Sequence, residues 1–182
     1  KNMFKKTNKS INKKRRKNRG FTLIEALVAI AVLTISIAGP ITIASKGIAS
    51  AIFARDQITA FYLAQESVEY IRNKRDENNI NGNYWLYGLS ECIDTDICTI
   101  DINEGNPENI IKKCPVGECP VLKYDDNTNF YNYSTGNNSN FTRKTNIVIV
   151  DAKEVAITTT LSWSTGVISK SFTIKEHILD WQ

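Results

Sequence analysis

The sequence predicts an α+β fold in which one long N-terminal helix packs under a small C-terminal antiparallel sheet. Three patterns carry that expectation. Twenty uncharged residues lie between Glu25 and Lys46. Beyond them Ala54, Ile58, Phe61, Ala64, Val68 and Ile71 recur at steps of three and four, one face of a helix. Near the other end Val155, Ile157, Thr159, Leu161 and Trp163 alternate by two, the period of a strand.

Charge is distributed unevenly. The first 20 residues hold ten of the 23 Lys and Arg and no acid, while the rest carries 13 basic against 19 acidic residues. A basic tail on an acidic body does not read as a nucleic-acid binder on net charge. Residues 1–20 offer only Met3, Phe4 and Ile11 as apolar side chains, cannot bury a core, and are expected to stay disordered. Residues 13–19 alone would pass for a nuclear-localisation or RNA-binding patch. The apolar run that follows decides against that reading.

Residues 21–45 form the second segment, apolar apart from Glu25. Twenty helical residues at about 1.5 Å each span roughly 30 Å, the thickness of a bilayer's hydrocarbon core. Ile, Leu, Val and Ala sit all round this helix, as contact with lipid requires. A buried core helix would need a second apolar segment of similar strength, and the chain has none. A secretory signal would have a shorter core, with its cleavage site after it. Basic flanking residues hold the N-terminus in the cytoplasm and place the residues after Ala44 outside.

The junction is specific. Gly20-Phe21-Thr22-Leu23-Ile24-Glu25, behind a basic leader and ahead of the apolar run, resembles the processing site of type IV prepilins and type II secretion pseudopilins. The resemblance covers about the first 45 to 70 residues; beyond residue 75 it is architectural only. It implies a pilin-like fold, cleavage between Gly20 and Phe21 by an aspartic prepilin peptidase, and N-methylation of Phe21 by the same enzyme. Gly20 suits a protease that binds its substrate extended, where a β-carbon would hinder entry. Implied partners are homologous pilin or pseudopilin subunits, the inner-membrane assembly platform and membrane lipid. No cofactor and no metal is expected.

Glu25 taken alone fits two roles: a carboxylate snorkelling to the interface, or one paired inside the apolar layer. A lone carboxylate there costs about 3 kcal/mol. The resemblance supplies a partner, the new α-amino group of Phe21 on a neighbouring subunit, and with it a device for setting axial register. Gly39-Pro40 breaks the helical pattern, since proline removes a donor and glycine lowers resistance to bending. Both a plain membrane-helix kink and the local melting implied for assembled filaments remain open.

The helix is expected to continue as an amphipathic segment over residues 46–77 and to stop at Asn81-Gly82. Arg55, Asp56, Gln57, Glu66, Glu69 and Arg72 are assigned to its wet side. Residues 78–182 form the head. Residues 83–140, rich in Asn, Asp, Gly and Tyr, read as an irregular exposed connection. They contain Cys92, Cys98, Cys114 and Cys119, whose spacing fits zinc modules poorly; outside the membrane, disulfides are the better reading. Of three possible connectivities the local one, Cys92–Cys98 with Cys114–Cys119, is expected. Asp101-x-Asn103-x-Gly105 fails as a calcium loop, having Asn106 and Lys112 where Gly and Glu belong. Residues 146–174 are expected to form a three-stranded meander, with Leu179 and Trp181 tucked at the core's edge.

His177, the only histidine, lies near no nucleophile motif, and no phosphate-loop, metalloprotease or dinucleotide fingerprint occurs. The expected function is structural: a filament subunit, not an enzyme, held in the inner membrane with its head outside before export into a filament. The alternative is a minor pilin acting as a DNA- or surface-binding adhesin. That reading needs Lys112, Lys113, Arg143 and Lys144 to form a local patch on an acidic chain. A signal-anchored enzyme is the remote third possibility.

Overall fold

A computed structural model describes residues 20–115, 118–166 and 168–180. The leader residues 1–19 and Trp181, both given expectations above, lie outside the described residues. The chain divides into two compact units, Lys1–Ile48 and Ala49–Gln182. Helix α1, Leu23–Ile80, contributes to both.

In the first unit every described residue is exposed. The helix assignment runs without interruption through Gly39 and Pro40.

In the second unit α1 buries Asp56, Ala60, Leu63, Ala64, Ser67, Val68, Ile71 and Asn78. Of the expected face Ala64, Val68 and Ile71 are buried, whereas Ala54 is exposed, Ile58 is 58% and Phe61 43% exposed, and Asp56, expected on the wet side, faces inward. Asp56, Ala60 and Ser67 are small or polar, so a hydrophobicity pattern passes over them. Asn78 is buried because its amide donates to the carbonyls of Trp85 and Tyr87, tying the outgoing chain to the helix end. The stop is a Schellman turn, with Asn83 N donating to Asn78 O, Gly82 N to Asn79 O, and Gly82 at φ 70°.

Among the described residues seven strands form one antiparallel sheet: β1 Cys98–Ile100, β2 Ile111–Lys113, β3 Val121–Asp125, β4 Phe130–Asn132, β5 Asn137–Asp151, β6 Glu154–Thr165 and β7 Ile168–Leu179. β5 is the hub. One of its edges carries β6 and then β7, and the other is shared between β3 and β1. In β6, Val155, Ile157, Thr159, Leu161 and Trp163 all point inward, as their alternation predicts. The expected irregular connection at 83–140 needs correction, since it holds β1 to β4 and the first residues of β5. Strands of three to five residues are too short to display a period, and turn-forming residues between them conceal the pairing. The meander is likewise longer than expected, reaching from Asn137 to Leu179.

Two apolar clusters join helix to sheet. One packs Val68 and Ile71 with Trp85, Leu89, Ile100, Ile147, Val155 and Ile157. The other packs Ala60, Leu63 and Ala64 with Leu122, Phe141, Leu161 and Trp163. Disulfides join Cys92 to Cys98 and Cys114 to Cys119, the local pairing. Cys92 and Cys98 lie inside the first cluster. In the turn before β5, Gly136 sits at φ 93°, and a β-carbon there would stand 2.2 Å from the Tyr124 carbonyl oxygen. Only glycine fits.

Between the clusters lies Arg143, its side chain 1% exposed. Its Nη1 donates to Leu63 O at 2.7 Å and Glu66 Oε1 at 3.0 Å, and its Nη2 to Ile100 O. Burial disfavours its charge, but Tyr133 and Glu66 more than offset this and hold its pKa above the ordinary arginine value. One side chain thus ties α1, β1 and β5 together. Arg143→Ala should strand Glu66 and two carbonyls and destabilise the full chain by about 3–5 kcal/mol. Urea titration in detergent would measure it. Lys113→Ala, which removes only the exposed pair to Asp96, should leave the urea midpoint close to that of the unaltered chain.

Candidate processing and assembly segment

Residues 20–22 are non-helical and lead into α1 at Leu23. Thr22 starts the helix: its Oγ1 accepts from Glu25 N at 3.3 Å and its carbonyl oxygen from Ala26 N at 3.1 Å. Thr22-Leu23-Ile24-Glu25 is thus a capping-box sequence with the carboxylate in the first turn, where the helix dipole favours negative charge. The T-x-x-E spacing is itself a sequence signal for this helix start.

Beyond Glu25 the helix satisfies its own polar groups. Thr34 Oγ1 donates to Ala31 O, Ser36 Oγ to Val32 O, Thr42 Oγ1 to Ala38 O and Ser45 Oγ to Ile41 O, at 2.7–2.9 Å. Each hydroxyl folded back in this way can enter hydrocarbon without losing a hydrogen bond. Leu23, Ile24, Leu27, Ile30, Leu33, Ile35 and Ile43 are each more than half exposed. α1 holds an 18-residue window apolar enough to cross a membrane, and none of that window is buried.

Residues 15–39 match the prokaryotic N-terminal methylation motif. The chain carries the N-terminal methylation motif of the type IV pilin and type II secretion pseudopilin family. The matched stretch includes Gly20, Phe21, Glu25 and Gly39 and stops one residue short of Pro40; the head lies outside it. No curated protein and no solved structure matches the chain.

Other residues singled out in the sequence are distributed through the head. Asp101 is buried, with Oδ1 accepting from Asn103 N and Oδ2 from Tyr133 N, so both carboxylate oxygens serve the backbone. Among the described residues no group of three or more His, Cys, Asp or Glu is placed to hold a metal. His177 is exposed and its Nδ1 lies 2.6 Å from Glu154 Oε1 across β6 and β7. The basic patch needs correction: Arg143 is internal, and Lys113 pairs with Asp96 at 2.7 Å. Arg143 follows Phe141 and precedes Thr145 and Ile147 on the inward face of β5, so period-two reading from residue 141 would have placed it inside.

A β-carbon at Gly20 would meet nothing within 4 Å. The folded chain makes no steric demand for glycine there, and a demand imposed by a protease would show separately from stability. Gly20→Val should leave the urea midpoint and membrane fraction of the full chain unchanged, while co-expression with a prepilin peptidase should no longer remove the leader. Normal leader removal from the Val variant would contradict the assigned site.

Proposed function

We propose that this protein is a structural subunit of a type IV pilus or a type II secretion pseudopilus. A prepilin peptidase cuts it between Gly20 and Phe21 and methylates the new amino group. The mature chain stays in the inner membrane with its head outside, then enters a filament through its N-terminal helix on an assembly platform. The observation that carries this reading is the methylation motif standing at the head of an apolar helix left uncovered by its own chain. Filament neighbours and lipid are the two covers such a surface can have. The reading is non-enzymatic. With Arg143 buried, the adhesin alternative loses the patch on which phosphate binding would rest.

Within the filament Glu25 pairs with the Phe21 amino group of a neighbour, and Gly39-Pro40 lets the helix open locally as subunits pack. Truncating one partner of a buried ion pair costs about 3–5 kcal/mol, or two to four powers of ten in assembly. Glu25→Gln isolates this effect, because Gln serves a capping box as Glu does and is cheaper to place in lipid. The variant should be membrane-resident and processed but absent from filaments, as measured by membrane fraction, leader loss and filament incorporation side by side. Incorporation at the wild-type level would show that the carboxylate does not set register.

A further inference from the structure

The second unit carries unlike surfaces at its two ends. At one end Tyr70, Tyr87, Glu91, Pro107, Glu108 and Ile110 line a groove of about 620 Å³. On its helix wall Lys74 and Glu77 neutralise each other at 3.1 Å. Glu91 and Glu108 are exposed, and among the described residues neither is in an ion pair. Lys113, a cation close to Glu91, is held by Asp96 at 2.7 Å. The groove thus combines two tyrosine rings, apolar side chains and two uncompensated carboxylates.

At the other end β6 and β7 meet in a tight hairpin, with Thr165 paired to Ile168. Its tip exposes Ile168 and, two residues on along the same face of β7, Lys170. Lys170 Nζ stands 5.6 Å from the centre of the Phe53 ring, and among the described residues it has no carboxylate partner. Tyr70 follows Phe53 by 17 helical residues, about 26 Å of rise, so Lys170 is out of reach of the groove in its own chain.

We propose that the groove at Glu91 and Glu108 takes the β6–β7 hairpin tip of a second copy, with Ile168 against its apolar wall and Lys170 between the two carboxylates. This deepens the filament reading and rests on it. Charge complementarity selects the occupant: an unpaired lysine beside an apolar side chain meets unpaired acids beside apolar side chains. Tyr70 and Tyr87 add ring faces that attract an ammonium. Because the contact joins two unlike patches at opposite ends of the head, each copy keeps one tip and one groove free. The same contact then repeats from copy to copy, as an open filament requires.

The test uses the full chain in cells that carry a prepilin peptidase and its assembly machinery. Sheared filaments are treated with a water-soluble carbodiimide, which joins a lysine amine to a carboxylate it touches, and the products are mapped by mass spectrometry. Chain dimers should contain Lys170 joined to Glu91 or Glu108. Reversing the groove with Glu91→Lys and Glu108→Lys together should lower filament incorporation about ten-fold, the worth of two exposed pairs, with the urea midpoint unchanged. Adding Lys170→Glu to that chain should restore most of the loss. Filaments that contain the chain but lack the Lys170 cross-link, or a reversal that Lys170→Glu fails to rescue, overturn the contact and leave the filament reading standing. Carboxylates joined to lysines of a different protein overturn the second copy as occupant. A processed, membrane-resident chain that never enters filaments removes the contact and the filament reading together.

Discussion

An uncovered apolar helix is the constraint on which the rest of this protein depends. Residues 23–45 expose their Leu, Ile and Val side chains on every side, and their hydroxyls are already bonded back to the helix. At about 25 cal/mol per Å², surface of that extent cannot remain in water. On the proposed reading, lipid covers it in a lone subunit and neighbouring helices cover it in a filament. Outside the local opening proposed at Gly39-Pro40, such a move would require little change in the helix, because its hydroxyls are bonded back to its own carbonyls. What would distinguish the environments, under the proposed pairing, is Glu25, whose charge hydrocarbon penalises and a neighbour's amine would neutralise.

The same helix also serves as the floor of a head with a modest core. Ala60, Ala64 and Ser67 are buried on its inward side, and Arg143 reaches from β5 to an α1 carbonyl, to Glu66 and to the β1 backbone. A guanidinium buried this deeply is costly unless its donors are used, so the site is sensitive to any shift of helix against sheet. Two disulfides hold the chain that enters β1 and the chain that leaves β2, where strands of three residues could not fix themselves.

Legibility in the sequence followed segment length. The apolar run, its motif and the 12-residue strand β6 were readable because each repeats one chemical rule many times. β1 to β4 were hidden, since strands this short leave turn residues to dominate the composition. On α1 the spacing places Ala64, Val68 and Ile71 inward correctly but misses Asp56 and Ser67, which break the apolar stripe, and Arg143 escapes because a charged residue at an inward position defeats a hydrophobicity rule. At the candidate processing segment the motif picks out Gly20, Phe21 and Glu25, whereas the cap at Thr22 needs the hydrogen-bond geometry.

The central claim is that other helices cover residues 23–45 once the leader is gone. A photoreactive diazirine side chain at Leu33, which is 59% exposed on the isolated chain, reports its neighbours directly. The measurement is the set of cross-linked products in cells that carry a prepilin peptidase and its assembly machinery. The account predicts that the processed chain is captured on the apolar helices of other subunits bearing the methylation motif, while an unprocessed chain in the same cells is captured on lipid alone. A processed chain that yields only lipid adducts, with filaments assembling around it, would contradict the account.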